Sequence, residues 1–447
     1  MRKNNGSLLF LLGLFAMTEI YVGGFAAISE LVLFLVGPFI FLKDIRFLRK
    51  DGFMPMVWLF GLTMFGCVVA SRFNHTAFAS FAKGFSAVYG SLCALVCAHR
   101  LLRDDFTKIK WFFVGYSLSL VINIFIFQRG SARHLGDVAM FSEAAMESTA
   151  NSVLFWAGRL PHWLFTPVRG WYIQTPTLYS ILATLVIISV SLLGSGGSGR
   201  SAALAAMGTL CLLIVGRKTS RELTRLKKHI FMVVIFLVLA AVGVKLVYQH
   251  LAKTGVLGEA GQKKFEVQTQ HGNSAFSIIV AGRGEFFAGL YCALQKPFIG
   301  YGPWAIDHNG LAGDFLAKYG SYEDYAEYVR YQISLASQNR IKQSVIPSHS
   351  CIVGFWTWYG IFGLVLWLYI LWLYWKTFTT YFVAYPPWFG CVATILPLAV
   401  WDAFFSPYGN RVMMGIFFAI CLFLKAVYEK RIPPGGTSAY YGVGRWK

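Results

Sequence analysis

The sequence predicts an all-α integral membrane protein of about twelve transmembrane helices, with a large, mostly helical extracytoplasmic loop between the ninth and the tenth. Three observations predict it. Hydrophobic residues make up 56% of the chain and charged residues only 13%, about half the roughly 25% usual for a soluble domain. A globular core cannot hide that much apolar surface from water, whereas a bilayer can serve as its solvent. Apolar runs long enough to cross a bilayer recur along the chain. The cations cluster in short stretches between those runs, so the net charge of +20 encodes orientation by the positive-inside rule, and no nucleic-acid partner is expected.

The apolar runs lie at 7–23, 25–42, 53–71, 76–98, 110–128, 173–194, 201–216, 230–250, 350–375, 385–404 and 410–427. Arg2 and Lys3 precede the first, no small-residue cleavage site follows it, and another run comes at once. It therefore reads as a retained helix and not as a removed signal peptide. Four basic stretches set the orientation: Lys43, Arg46, Arg49 and Lys50; Arg100, Arg103, Lys108 and Lys110; the cluster from Arg217 to Lys228; and Lys425, Lys430 and Arg431. All four belong in the cytoplasm.

Eleven crossings from a cytoplasmic N-terminus would leave 217–229 outside, against that rule. A further crossing between 129 and 172 resolves the conflict. The best segment for it is 145–168, interrupted by Glu147, Arg159, Pro161 and His162, which suits a helix packed against protein or lining a cavity. The chain then divides into nine helices over 1–250, an extracytoplasmic loop over 251–348, three helices over 349–431, and a tail over 432–447 whose Pro433-Pro434-Gly435-Gly436 reads as disordered. The loop has nine Lys/Arg against eight Asp/Glu, with aromatic amphipathic stretches such as 315–333. A functional cap fits its length better than a structureless connection does.

Of the eight cysteines, Cys67, Cys93, Cys97, Cys211, Cys391 and Cys421 lie in apolar runs and none forms a C-x-x-C pair. They read as small packing residues. Cys292 and Cys351 are the two expected on the oxidising side, where a disulfide between them is one option.

Three residues fall on the extracytoplasmic side in settings that can carry chemistry. Arg200 ends the turn Gly194-Ser195-Gly196-Gly197-Ser198-Gly199 and opens an apolar helix. A boundary arginine often only snorkels to head groups, but glycines free the backbone amides for an anion, and a helix start adds its positive end. Arg283 lies in Ala281-Gly282-Arg283-Gly284-Glu285, where the plain alternative is a solvated loop arginine paired with Glu285. His349 lies in Pro347-Ser348-His349-Ser350, at the start of a span. It is either a cap or a general base, since its unperturbed pKa is near neutrality.

The order of these residues resembles the O-antigen ligase and O-antigen polymerase superfamily. Gly282-Arg283, a short apolar segment and then Pro297-x-x-Gly300-x-Gly302 look like its loop signature. His349, followed by Gly360 and Gly363 eleven and fourteen positions on, resembles its histidine motif, and Ser198-Gly199-Arg200-Ser201 its upstream arginine element. Arg133-x-x-Gly136, ahead of the weak sixth span, is similar too. The resemblance covers about residues 129–410. Ser350 stands where the family has Asn, and Trp358 where it often has Glu.

The resemblance implies a GT-C-like glycosyltransferase in a bacterial inner membrane, with its active site facing the periplasm. It would transfer a glycan from an undecaprenyl-diphosphate carrier to an acceptor hydroxyl. As a ligase in lipopolysaccharide biosynthesis the acceptor would be lipid A–core, and as a polymerase it would be a repeat unit of O-antigen, capsule or exopolysaccharide. Twelve spans with the loop between the ninth and tenth match the ligase layout.

His349 is then expected to be the base, and Arg200 and Arg283 to hold the diphosphate, with Arg411 and Arg133 as additional contacts. The long loop has no D-x-D; acids such as Asp307, Asp314 and Asp324 are scattered. Two guanidinium forks can replace a metal at a leaving diphosphate, so neither metal nor other cofactor is expected. A transporter for lipid-linked sugars is the rival class, but it would carry its charges near the midplane, often in repeated halves.

Overall fold

The computed structural model describes residues 5–16, 18–21, 25–125, 284–307, 350–384 and 389–429, together with a few isolated positions such as 182, 207–210, 250, 311, 312 and 346. The described chain is helical apart from one short hairpin, in the order α1 (Asn5–Leu14), β1 (Glu19–Tyr21), β2 (Phe25–Ala27), α2 (Ile28–Lys50), α3 (Met54–Phe73), α4 (Phe78–Leu102), α5 (Ile109–Phe125), α6 (Gly284–Gln295), α7 (Cys351–Tyr359), α8 (Ile361–Ala384), α9 (Phe389–Phe405) and α10 (Arg411–Tyr428). Among the described residues, four helices are long and apolar enough to cross a membrane: α3, α4, the Ile361–Thr379 part of α8, and α10. The chain is a membrane protein, and the large exposed side chains Trp58, Phe65, Phe73 and Phe78 are what a lipid-facing surface requires.

Three expected elements differ from their sequence reading. The first run, 7–23, is helical only over Asn5–Leu14, about 15 Å at 1.5 Å per residue and half of a roughly 30 Å hydrocarbon layer. Further along it, Glu19–Tyr21 is a strand that pairs antiparallel with Phe25–Ala27 at the start of the second run, Glu19 with Ala27 and Tyr21 with Phe25. A Gly-Gly pair between β-formers is a hairpin signal, and mean hydropathy hides it. The second run extends to Lys50, so the basic stretch 43–50 is helix and not loop. The run 350–375 is two helices. Gly360, with φ 61°, separates them, and a methyl group on Gly363 would overlap the carbonyl oxygen of Phe355. Residues eight apart in one straight helix lie about 12 Å apart, so α7 folds back against α8 and does not extend it.

The remaining runs of the first and last blocks match helices within a few residues. Apart from isolated positions such as 182, 207–210 and 250, the segments 145–168, 173–194, 201–216 and 230–250, the basic cluster 217–228, most of the loop 251–348 and the tail 432–447 lie outside the described residues.

α2, α4 and α10 run side by side in one direction. Gly37 lies against Cys93, Asp44 meets Arg100, Gly90 lies against the Arg411 side chain, and Gly415 against Ala94. Small residues at these crossings let the helices approach closely. The order also places Arg411 beside the middle of α4, not at its end. The core that the described helices share is aromatic, with Phe53, Phe60, Phe112, Phe113, Phe355, Tyr359, Trp367 and Phe418 all fully buried.

At the basic end, His99 and Asp51 form a buried pair at 2.7 Å. The His99 ring stacks on Phe423 and meets Phe53 edge-on. This ties the end of α2 to α4 and α10.

Candidate functional site

The described part of the loop signature is a joint between three segments. α6 begins at Gly284, the residue after Arg283, and ends at Gln295, after which the chain turns through Pro297–Gly302. The turn docks on the C-terminal end of α7: Tyr301 N donates to Thr357 O at 2.7 Å, Gly302 N to Trp358 O at 3.1 Å, Ile361 N to Phe298 O at 3.1 Å, and Trp356 Nε1 to Pro297 O at 3.0 Å.

Gly300 and Gly360 are glycines because of this joint. Their φ values are 76° and 61°, which side chains disfavour. A Cβ on Gly300 would stand 2.6 Å from Gly360 N, and one on Gly360 would overlap Phe298 O. The same turn reaches α3, where Asn74 Nδ2 donates to Gly300 O at 3.0 Å and Lys296 Nζ to Asn74 Oδ1 at 2.9 Å.

The packing of α6 on α7 makes them parallel. Thr357 Oγ1 donates to Gly289 O at 3.2 Å, and the turn after α6 meets the end of α7. At the other end, Phe286 packs on Phe405, while Ser350 Oγ donates to Ala403 O at 3.2 Å and Cys351 Sγ to Ser406 O at 3.3 Å. Both helices therefore start beside the last turn of α9. Ser350 caps α7, accepting from Val353 N at 3.2 Å, the usual work of an N-cap hydroxyl. Ser350 is thus a buried serine serving two backbone groups.

Arg283, His349, Arg200 and Arg133 lie outside the described residues. Their neighbours Gly284 and Ser350 are described, and they open two adjacent helices at one end. Arg411 is described. Its Nη1 lies 2.9 Å from Oε2 of Glu30, with the two side chains 12% and 0% exposed. Around it, Tyr408 donates to Ser91, Ser91 Oγ donates to Arg411 O at 3.2 Å, and Asn410 Nδ2 donates to Ala16 O at 2.6 Å. Asn410 also caps α10, accepting from Met413 N at 3.0 Å.

Sequence reasoning missed Glu30, because it lies inside an apolar run with no motif around it. A lone acid in such a run is itself a signal of a buried partner.

Trp358 is 4% exposed and stacks on Trp304 at 4.4 Å. Cys292 and Cys351 are both free, buried thiols, so the disulfide between them does not form.

Burial pushes the Cys292 thiol up to about 12, with Asp307 adding to it. It also pushes the Tyr301 phenol up to about 12, with Cys292, Asp307 and Tyr291 adding. Both groups are neutral near pH 7. Asp307 accepts from Leu311 N and Ala312 N, each at 2.9 Å, so it holds local backbone. Among the described residues no three of His, Cys, Asp and Glu gather as a metal site would need. The chain matches no protein-family model and no curated protein.

Proposed function

We propose that this protein transfers a glycan from an undecaprenyl-diphosphate carrier to an acceptor hydroxyl at the extracytoplasmic face of a bacterial inner membrane. His349 is the base, and Arg283 and Arg200 stabilise the leaving diphosphate. The resemblance supplies the chemistry. The observation that supports it is the parallel pair α6 and α7, which start beside the same turn of α9; Gly284 follows Arg283 in sequence, and the α7 cap Ser350 follows His349. An arginine suits a leaving anion, and a histidine suits an attacking hydroxyl. The glycines of the signature fit as scaffold, since they let the turn and α7 dock.

We assign Arg411 to holding α10 against α2, because Glu30 already meets its charge. Arg133 stays a secondary contact to the carrier. The twelve-helix layout favours the ligase, with lipid A–core as acceptor. A repeat-unit polymerase uses the same chemistry on a different acceptor.

Purified protein, a lipid-linked glycan and either acceptor, incubated with a chelator, test the reading. Transfer to lipid A–core supports the ligase, and elongation of the glycan supports the polymerase. Transfer that vanishes in chelator and returns with magnesium or manganese contradicts the metal-free mechanism.

A further inference from the structure

The exposed face of α2 changes character within one turn. Leu35, Phe39 and Leu42 are 72%, 75% and 70% exposed. Lys43, Arg46, Arg49 and Lys50 follow on the same helix, all exposed. At about 100° per residue, these seven positions fall within an arc of roughly 120°. One stripe thus passes from large apolar side chains to four cations.

The acids of this stretch point the other way. Asp44 is 1% exposed and meets Arg100 at 3.2 Å, and Asp51 is 5% exposed and meets His99 at 2.7 Å. The outward face therefore carries four cations and no acid of its own. Arg103, stacked over the Phe47 ring at 3.9 Å, flanks it from α4. The cations stand on a fixed backbone: Leu48 is fully buried, Asp51 N donates to Phe47 O at 2.8 Å, and Phe53 N to Leu48 O at 2.8 Å.

We propose that this stripe binds the phosphate groups of anionic phospholipids in the leaflet at the C-terminal end of α2. Leu35, Phe39 and Leu42 would lie along the acyl chains, and Lys43 to Lys50 would span about 10 Å of the head-group layer. Ammonium and guanidinium donors match phosphate oxygens, and a basic segment beside an anionic surface gains affinity with each cation. The inference is independent of the glycan-transfer reading, since none of these residues is part of it.

The test uses the full chain in an uncharged detergent, with phosphatidylglycerol or phosphatidylcholine supplied at equal mole fraction and bound lipid counted by native mass spectrometry. The wild type is expected to retain phosphatidylglycerol about tenfold or more over phosphatidylcholine, with the preference shrinking as salt rises. Lys43→Gln, Arg46→Gln, Arg49→Gln and Lys50→Gln together should abolish the preference with an unchanged gel-filtration profile. If that chain does not fold, Lys43→Gln with Arg46→Gln should weaken the preference severalfold.

Arg72→Gln with Lys83→Gln removes two exposed cations at the other end of α3 and α4 and should leave the preference intact. The proposal is overturned by three results. They are a wild type without preference, a preference that survives in the folded quadruple or double variant, and an equal loss in the Arg72/Lys83 control, which would reduce the effect to net charge.

Discussion

Glu30 and Arg411 meet at 2.9 Å across 381 residues of sequence, and both side chains are almost wholly removed from solvent. Glu30 stands in the first turn of α2 and Arg411 opens α10, so the pair fastens the first and last parts of the described bundle to each other beside the middle of α4. Removing one partner of a buried pair strands the other charge, at a cost of about 3–5 kcal/mol.

Glu30→Gln and Arg411→Met should each lower the unfolding temperature in detergent markedly. The double variant Glu30→Leu with Arg411→Met should recover much of the loss, because two apolar groups replace a pair without leaving a lone ion. Additive losses in that double-mutant cycle would show that the two residues do not act on each other.

The joint between α7 and the Pro297–Gly302 turn makes a second prediction. Gly360→Ala puts a side chain where φ is 61° and where a Cβ would overlap Phe298 O. The conformational strain alone amounts to about 1–3 kcal/mol, and the overlap adds to it. Gly61, with open space around it in α3, is the control. Gly61→Ala should leave thermal stability unchanged or slightly raised, since alanine favours helix. Equal stability of the two variants would contradict the close approach.

Much of this was legible in the sequence, and the failures have physical causes. The helices at 54–73, 78–102 and 411–428 follow apolar runs almost residue for residue, because each is a continuous helix in a lipid-like setting. The run over 350–375 misled because hydropathy averages over a break that depends on one residue's φ. Gly360 looks like any glycine until Phe298 and Gly300 are brought against it from sixty residues away. The glycines of the motif were visible as a pattern, yet their role as a docking joint depends on that tertiary contact. Glu30 and Arg411 were each visible, but nothing in their spacing joins them.

The Cys292 thiol, ordinarily near 9.0, is pushed up to about 12 by burial. A folded value above the unfolded one means that the neutral thiol's stabilising contribution is fully present below pH 9 and is lost as pH rises from 9 towards 12. Comparing wild type with Cys292→Ala by thermal unfolding across that range should show the wild type losing more stability than the variant. Maleimide at pH 8 should label Cys292 only after unfolding, because the thiolate is the reactive form. Rapid labelling of the folded chain would contradict the burial.

Sidedness is tested by single cysteines at positions 221 and 320, in intact cells, with a membrane-impermeant reagent. The positive-inside reading predicts labelling at 320 and none at 221. The reverse pattern would invert the proposed topology and move the reaction to the other face.

The proposed mechanism stands most directly on His349. The measurement is donor binding and turnover of His349→Ala beside Arg283→Ala and Arg200→Ala, each confirmed as folded by detergent gel filtration. The account predicts that His349→Ala binds the lipid-diphosphate donor nearly as well as wild type but turns over about 10²–10⁴-fold more slowly. Each arginine variant should weaken donor binding and lose about a hundredfold or more in rate. A well-folded His349→Ala protein with near-normal turnover would contradict the account.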